Sequence, residues 1–224
     1  AGELGVPVIL ETAPSYAEFV RRTREDRRYD YLFTAPHFYF AAQRQAGYRA
    51  VARVDGGLLR FVIVVRRDSD IVEPADLCGA TVATPDALAL STIMVRRRLA
   101  RLGCDPGDDA QLIATPSHNA ALQSAFRGAT DAAGLSSIPF ARADPALRSA
   151  MRPVAETDST PHMPFSVAPW ISSEEAAKFA DALVNLGSRK EGPILLRNLG
   201  WAGFARAVPE DYDMFADHAE VLLE

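Results

Sequence analysis

The sequence predicts an α/β protein with largely parallel sheets. Short apolar runs suited to buried strands, such as residues 6–10 and 80–83, alternate with amphipathic stretches suited to helices. The composition is that of a globular chain, with 48% apolar and 24% charged residues among 224. This length fits one large domain or two lobes of about 100 residues each.

Local signals set the order of the predicted elements. Pro14-Ser15 opens a helix with Tyr16 and Phe19 on one face, and Gly103 ends a helix of about 15 residues. Asp55-Gly56-Gly57 is predicted to join two strands as a tight turn. Strands are predicted at residues 6–10, 30–33, 48–54, 59–65, 80–83, 111–114, 131–134 and 165–168. Further helices are predicted at residues 37–47, 117–127, 172–186, 192–199 and 210–223.

Charge and motif content exclude several classes of function. The net charge is −5 and the pI about 5.4, whereas a general nucleic-acid binder is normally basic. No apolar run approaches the ~18 residues of a membrane span. The sequence contains no GxSxG, HExxH or P-loop motif. Ser117 and His118 are adjacent, so their side chains diverge and do not form a nucleophile–base pair.

Polar residues gather at three predicted turns between a strand and a helix, at residues 34–37, 84–86 and 115–119. In an open parallel sheet, ligands bind beyond the carboxyl ends of the strands, at helix N-termini. A helix opened by Ser117, His118 and Asn119 satisfies its own free N–H groups or binds a small polar ligand. The three turns together predict a binding cleft.

Five segments of the sequence resemble a known family. They are YDYLFTAPHFYFAAQRQAGYRAVAR, LRFVIVVRRDSDIVEPADLCGATVATP, RRRLARLGCDP, PSHNAALQSAFRGATDAAGL and HMPFSVAP. They are similar to the phosphate, phosphonate and phosphite periplasmic binding proteins of ABC transporters, which are type II solute-binding proteins. The resemblance runs from Val6 to about Phe204.

The resemblance implies a two-lobed type II periplasmic-binding-protein fold with two crossing hinge strands. Lobe one would be residues 1–66 plus 165–224, and lobe two residues 67–164, with a ligand held between them. A ligand that contacts both lobes favours their closure. The family begins with one more strand and helix, so the first strand and helix are expected to be lacking here.

The resemblance and the turns together give the candidate ligand-binding residues. They are Tyr16, Thr34, His37, Tyr39, Thr84, Asp86, Ser117, His118, Asn119, Ser136 and His162. For each the alternative is a local role, as a helix cap or a packed side chain.

One turn departs from the family pattern. Phosphonate binders place a Ser/Thr cluster where this chain has Thr84-Pro85-Asp86-Ala87, and the Asp86 carboxylate would repel a phosphate. Ser91 and Thr92 are expected a turn and a half inside the next helix, too deep to replace that cluster. Simple phosphate is therefore not the expected ligand.

Histidines and cysteines leave two further alternatives. His37, His118, His162 and Asp86 are suitable metal ligands, but their spacing gives no support for a metal site. Cys78 precedes the strand at 80–83 and Cys104 follows the next helix, so their sulfurs are expected within bridging range, as free thiols or as a disulfide. An oxidising periplasm would permit the bond.

The predicted function is that of a periplasmic, monomeric solute-binding protein that captures a small, anionic, phosphonate-like or oxyanion-like ligand for a membrane permease. No cofactor, metal or nucleic acid is expected, and no catalysis. Two alternatives are a periplasmic sensor domain that signals to a histidine kinase receptor and a biosynthetic enzyme of the same fold.

Overall fold

The chain divides into two compact units. The computed structural model describes residue 5 and residues 7–104 and 110–218. Unit 1 comprises Ala1–Leu58 and Pro161–Glu224, and unit 2 comprises Leu59–Thr160. The chain therefore passes between the units twice, after Leu58 and after Thr160. Leu59 and Thr160 pair as an isolated antiparallel bridge within unit 2.

The described residues form the following regular elements. The strands are β1 (Tyr31–Phe33), β2 (Arg49–Asp55), β3 (Phe61–Arg66), β4 (Thr81–Thr84), β5 (Gln111–Ala114), β6 (Ala132–Ser136), β7 (Met151–Glu156), β8 (Pro164–Val167) and β9 (Gly203–Arg206). The α-helices are α1 (Tyr16–Arg24), α2 (Pro36–Ala46), α3 (Leu90–Arg101), α4 (His118–Phe126), α5 (Ser137–Ala141), α6 (Pro145–Ala150), α7 (Ser173–Val184) and α8 (Gly192–Leu199). The 3-10 helices are Pro74–Leu77, Leu186–Ser188 and Pro209–His218.

Unit 1 is built on an antiparallel sheet in the order β1-β8-β2-β9. One core cluster joins Tyr29, Leu32 and Tyr48 to apolar residues of α1 and α2, and a second joins Val54, Leu196 and Phe204. The Tyr48 hydroxyl donates to the backbone carbonyl of Tyr29, so this buried phenol has a hydrogen-bond partner.

Unit 2 is built on a mixed sheet in the order β5-β4-β6-β3-β7. Strands β4, β5 and β6 are parallel, whereas β3 is antiparallel to both β6 and β7. One face of this sheet packs on α4, with Val62 and Val64 against Ala121 and Leu122. The other face packs on α3, with Ile63 in the same cluster as Val95 and Leu99. Alternate strand residues thus cover opposite faces.

Of the two states that the sequence left open for Cys78 and Cys104, the structure has the disulfide. Cys78 and Cys104 form a disulfide with a Cα–Cα distance of 5.1 Å, and 26 positions separate them in sequence. Cys78 precedes β4 and Cys104 follows α3, because the helix returns its C-terminal end to the start of the strand. The bond closes a loop that contains the whole β4–α3 segment.

The division into units differs from the predicted boundaries after residues 66 and 164. Strand β3 pairs with β6 and β7, so it belongs entirely to the sheet of unit 2. The expected turn at Asp55-Gly56-Gly57 is wrong as a hairpin, since β2 and β3 lie in different sheets. The Gly-Gly pair instead lies in the first connection between the units, and both glycines have positive φ angles, 130° and 104°.

Three other predictions change. The predicted strand at residues 6–10 is wrong over its described part, because residues 7–10 pair with no strand and Ile9 and Leu10 are 88% and 91% exposed. The predicted helix at 210–223 is a 3-10 helix, Pro209–His218, and residues 219–224 lie outside the described part. The short strand β9 was missed, because its sequence, GFAR, carries little strand signal.

Candidate functional site

Polar side chains collect at one edge of the unit 2 sheet. Thr84 ends β4, Thr115 follows β5, and Ser136 ends β6. Because these three strands are parallel and adjacent, their carboxyl ends lie at the same edge. The N-terminus of a helix follows each strand at this edge. Free helix N–H groups make such an edge suited to an anion.

The turn after β5 is fixed to the end of β4. The Thr115 N–H donates to the Thr84 carbonyl at 2.8 Å, and the Thr115 hydroxyl donates to the same oxygen at 2.9 Å. The hydroxyl also lies 3.1 Å from the Ser117 carbonyl. These bonds hold the start of α4 beside the end of β4.

Ser117 acts as the N-cap of α4. Its hydroxyl oxygen accepts a hydrogen bond from the Ala120 N–H at 3.1 Å. Asn119 is exposed in the first turn of the helix. For Ser117 the local alternative, capping, is thus observed; a ligand contact from either side chain stays a prediction.

His118 is the first residue of α4. Its side chain is half-buried, and Nδ1 is a buried atom with no hydrogen-bond partner in the described chain. Burial lowers the pKa of the His118 imidazole, so the neutral form is favoured. A neutral imidazole next to free helix N–H groups adds a donor to this edge without adding a fixed charge.

The start of α3 lies elsewhere than expected. The helix begins at Leu90, with Ala89 as N-cap, so Ser91 and Thr92 occupy its first turn. The expectation that these two residues lie too deep in the helix is therefore wrong. Residues 85–89 form an extra turn, in which the Asp86 carboxylate accepts from the Leu88 N–H at 2.8 Å. Because this carboxylate is exposed and already accepts a hydrogen bond, it repels a phosphate-like ligand less than the sequence suggested.

Two hydroxyls at this edge are buried without a partner. Thr84 and Ser91 are each 1% exposed, and neither hydroxyl oxygen has a hydrogen-bond partner in the described residues. The neighbouring Thr92 hydroxyl, in contrast, donates to the carbonyls of Pro85 and Asp86. Buried polar atoms are nearly always bonded, so an unbonded pair beside helix N-termini indicates a ligand site.

Gly134 allows close packing of β6 against Thr84 and α3. A Cβ atom there would stand 2.5 Å from Val95 Cγ2 and 3.3 Å from Thr84 Cγ2. The backbone of β6 therefore lies close to both β4 and α3. Two residues further, Ser136 is half-buried and is the N-cap residue of α5, although its side chain forms no capping bond. Its hydroxyl is a further candidate for a ligand contact at this edge, beside those of Thr84 and Ser91.

The candidates of unit 1 surround the start of α2. Thr34 follows β1, and His37 lies in the first turn of α2 with its ring 4.1 Å from that of Phe38. Both residues are buried. Tyr16, the first residue of α1, is 43% exposed and packs its ring 5.1 Å from Phe38. Tyr16 and His37 therefore share Phe38 as a neighbour.

Tyr39 and His162 form bonds within unit 1. The Tyr39 oxygen accepts from the Ala50 N–H at 2.9 Å, and burial raises its pKa to about 12. His162 Nδ1 accepts from the Met163 N–H, while the Tyr212 hydroxyl donates to the His162 carbonyl. Burial, and then the charge of Arg53, lower the His162 pKa. The bond to Ala50 gives the Tyr39 hydroxyl a local role. His162 bonds Met163 through Nδ1, so its Nε2 takes no part in that bond.

A metal site has no support in the described part of the chain, which contains no group of three or more His, Cys, Asp or Glu side chains suited to a metal ion. Nor does that part contain a helix of the length and apolarity needed to cross a membrane.

A sequence profile of the periplasmic phosphonate substrate-binding proteins of ABC transporters matches residues 1–212. The chain belongs to this family. The resemblance found in the sequence is thereby confirmed, and the membership carries the general function of the family, substrate binding for an ABC transporter. No curated protein sequence matches the chain. No comparison supports the sensor or the enzyme alternative.

Solved structures similar to this phosphonate-family protein confirm its type II fold. A binding protein component of an ABC phosphonate transporter from Pseudomonas aeruginosa has a TM-score of 0.83 at 17% identity, over 99% of this chain and 78% of its own. PhnD1 from Prochlorococcus marinus, in complex with methylphosphonate, has a TM-score of 0.85 at 17% identity, over 99% and 88%. A Xanthomonas citri protein bound to ATP has a TM-score of 0.78 at 18% identity, over 94% and 83%.

Sequence reasoning misjudged Ser91, which was dismissed because the apolar pattern of residues 87–90 continues smoothly into the helix. Arg60, whose carbonyl accepts from the N–H of Ser137 at the start of α5, was not considered. A signal for Ser91 was present in Pro85-Asp86, since such pairs favour turns over helix starts.

Proposed function

We propose that this protein binds a small phosphonate or related tetrahedral oxyanion at the carboxyl edge of the unit 2 sheet and delivers it to a membrane permease. The observation that carries the proposal is the pair of buried, unbonded hydroxyls of Thr84 and Ser91 beside the N-terminus of α3. Hydroxyls and free N–H groups donate hydrogen bonds to oxyanions.

His118 is the third donor in this proposal. Its imidazole begins α4, and its unbonded Nδ1 lies at the same sheet edge. An anion that accepts from an imidazole N–H favours the protonated ring, so binding is expected to raise the His118 pKa. Ligand contacts from Thr34, His37 and His162 stay predictions. Capture of the ligand by both lobes depends on these contacts and stays a prediction as well.

The protein is proposed to bind without converting its ligand. Support comes from the family, whose members are substrate-binding components of transporters. Ser117, the hydroxyl closest in sequence to His118, uses its oxygen to cap α4 rather than to meet the imidazole. A periplasmic location is proposed on the same ground, since the family is that of periplasmic substrate-binding proteins.

A thermal-shift screen followed by calorimetry tests the function. The panel contains methylphosphonate, phosphate, phosphite, arsenate and a carboxylate of similar size. A ligand that binds only the folded state at 100 times its Kd adds about 2.7 kcal/mol of stability, which is a shift of several degrees. A shift with the phosphorus oxyanions that calorimetry reproduces supports the proposal. No shift with any oxyanion, or a shift only with carboxylates, contradicts it.

The matched pair of variants for this test is His118→Ala and Arg127→Ala. Replacing His118 is expected to weaken binding of the oxyanion by about tenfold or more, because one donor is lost. Replacing the exposed Arg127, at the opposite end of α4, is expected to change affinity by less than about twofold. Equal losses for both variants would assign the effect to the stability of α4 as a whole rather than to the imidazole.

A further inference from the structure

Arg60 lies at the same sheet edge as the proposed oxyanion site. It directly precedes β3, and its carbonyl accepts from the Ser137 N–H at 2.9 Å. The next residue, Phe61, pairs with Ser136 across β3 and β6. The backbone of Arg60 is therefore held beside the N-terminus of α5, close to the end of β6.

The alternation of β3 places Arg60 on a defined face of the sheet. Val62 and Val64 pack against Ala121 and Leu122 of α4. Leu59 bridges Thr160 and Phe61 begins the strand, so Arg60 lies in an extended stretch and shares the face of Val62. That face is the one covered by α4, whose first residue is His118. Thr84 lies on the other face, beside Gly134 and Val95 of α3, so Arg60 and Thr84 reach the carboxyl edge from opposite faces of the sheet.

The charge of Arg60 is uncompensated within the part of the chain that the structure describes. Its side chain is exposed and makes no ion pair or hydrogen bond there. Two other arginines of unit 2 are engaged: Arg101 pairs with Asp158, and Arg152 donates to the carbonyls of Ser69 and Ile71. An exposed guanidinium that no partner holds is free to reach a ligand.

Among the described residues named for the proposed site, Arg60 is the one with a permanent positive charge. Thr84, Ser91 and Ser136 are neutral hydroxyls. Two carboxylates lie at this edge as well: Asp86 follows β4, and Glu156 ends β7 opposite Val62. Hydroxyls and helix N-termini stabilise an anion at this edge, and a guanidinium would add an attraction that grows with the charge of the ligand and offsets repulsion from the two carboxylates.

We propose that Arg60 contacts the ligand and makes the site select doubly charged oxyanions over singly charged ones of the same shape. This inference rests on the proposed function, because it names the charge class that the same site accepts. A guanidinium forms two parallel hydrogen bonds to an oxyanion, and such bonds to charged groups contribute about 1.5–3 kcal/mol. One contact of this kind therefore changes affinity by about tenfold or more.

The test uses two ligands that differ in charge and hardly in shape. At mildly alkaline pH, methylphosphonate is mainly a dianion, whereas methanesulfonate is a monoanion. Calorimetry of the wild type is expected to show tighter binding of methylphosphonate. In Arg60→Gln, methylphosphonate should lose about tenfold or more in affinity and methanesulfonate about twofold or less. Arg60→Lys, which keeps the charge but not the paired donors, should recover part of the loss.

The control variant is Arg127→Gln, which removes an exposed arginine at the opposite end of α4. It is expected to bind both ligands as the wild type does, and melting curves check that each variant is folded. Unchanged affinities in Arg60→Gln, or equal losses for both ligands, overturn the role of Arg60 while the proposed function stands. A wild type that binds neither ligand nor any other oxyanion overturns the proposed function and this inference with it.

Discussion

Thr84 and Gly134 face each other across β4 and β6, with only 3.3 Å between Thr84 Cγ2 and the place where a Cβ atom of residue 134 would stand. The same Cβ atom would lie 2.5 Å from Cγ2 of Val95, a fully buried residue of α3. Strand β6 and helix α3 are thus in contact through a glycine. This close approach lies one turn after Ser91 along α3.

Replacing Gly134 by alanine is expected to destabilise unit 2 and to weaken ligand binding. Val95 is β-branched and fully buried, so it has little freedom to move away, and overpacking of this kind costs about 1–3 kcal/mol. Chemical denaturation and calorimetry measure the two effects. Gly203→Ala is the control, because a Cβ atom there meets nothing within 4 Å. Equal stability of the two variants would show that α3 adjusts freely.

Removing a buried hydroxyl that has no partner is expected to affect stability and affinity in opposite directions. Ser91→Ala and Thr84→Val should leave the ligand-free protein as stable as the wild type or more stable, because an unsatisfied buried group is lost. Both should bind the oxyanion about tenfold more weakly. Denaturation curves without ligand and titrations with methylphosphonate give the two quantities.

The control for these hydroxyl variants is Thr92→Val, at the next position of the same helix turn. Its hydroxyl donates to the Pro85 and Asp86 carbonyls, so its loss should destabilise the ligand-free protein by about 1 kcal/mol. A loss of stability in Ser91→Ala as large as that in Thr92→Val would mean that the Ser91 hydroxyl has a structural partner after all.

Breaking the Cys78–Cys104 bond is expected to lower the free energy of unfolding by about 3 kcal/mol, because the bond restricts a loop of this length in the unfolded chain. Urea denaturation with and without a reductant measures the loss. In the double variant Cys78→Ala/Cys104→Ala, the reductant should have no effect. Two free thiols in unreduced, unfolded wild-type protein would contradict the bond itself.

The stability of the ligand-free protein is expected to fall as the pH drops below about 6.5, the pKa of an unfolded histidine. Burial lowers the folded-state pKa of both His118 and His162, so the unfolded chain binds more protons in this range. His118→Gln should reduce the slope of stability against pH, and a saturating oxyanion should reduce it in the wild type. A slope that His118→Gln leaves unchanged would assign the effect to His162 and to other groups.

The sequence predicted most helices and strands and the edge of the unit 2 sheet, because apolar periodicity and caps such as Ser117 are local signals. It failed where neighbours decide the structure. Residues 7–10 form no strand, since an apolar run needs a partner strand to pair with. Helix α3 begins at Leu90, later than predicted, because residues 85 and 86 form a turn instead of the first helical turn. The Thr92 hydroxyl donates to the Pro85 carbonyl, seven positions earlier in the sequence, and stabilises that turn. The place of Arg60 depends on pairing between β3 and β6.

A crystal structure of the complex with methylphosphonate tests the central claim most directly. The account predicts phosphonate oxygens within about 3 Å of the Thr84 and Ser91 hydroxyl oxygens, with the His118 imidazole in the same shell. A phosphonate bound elsewhere, with both hydroxyls still lacking a partner, would contradict it.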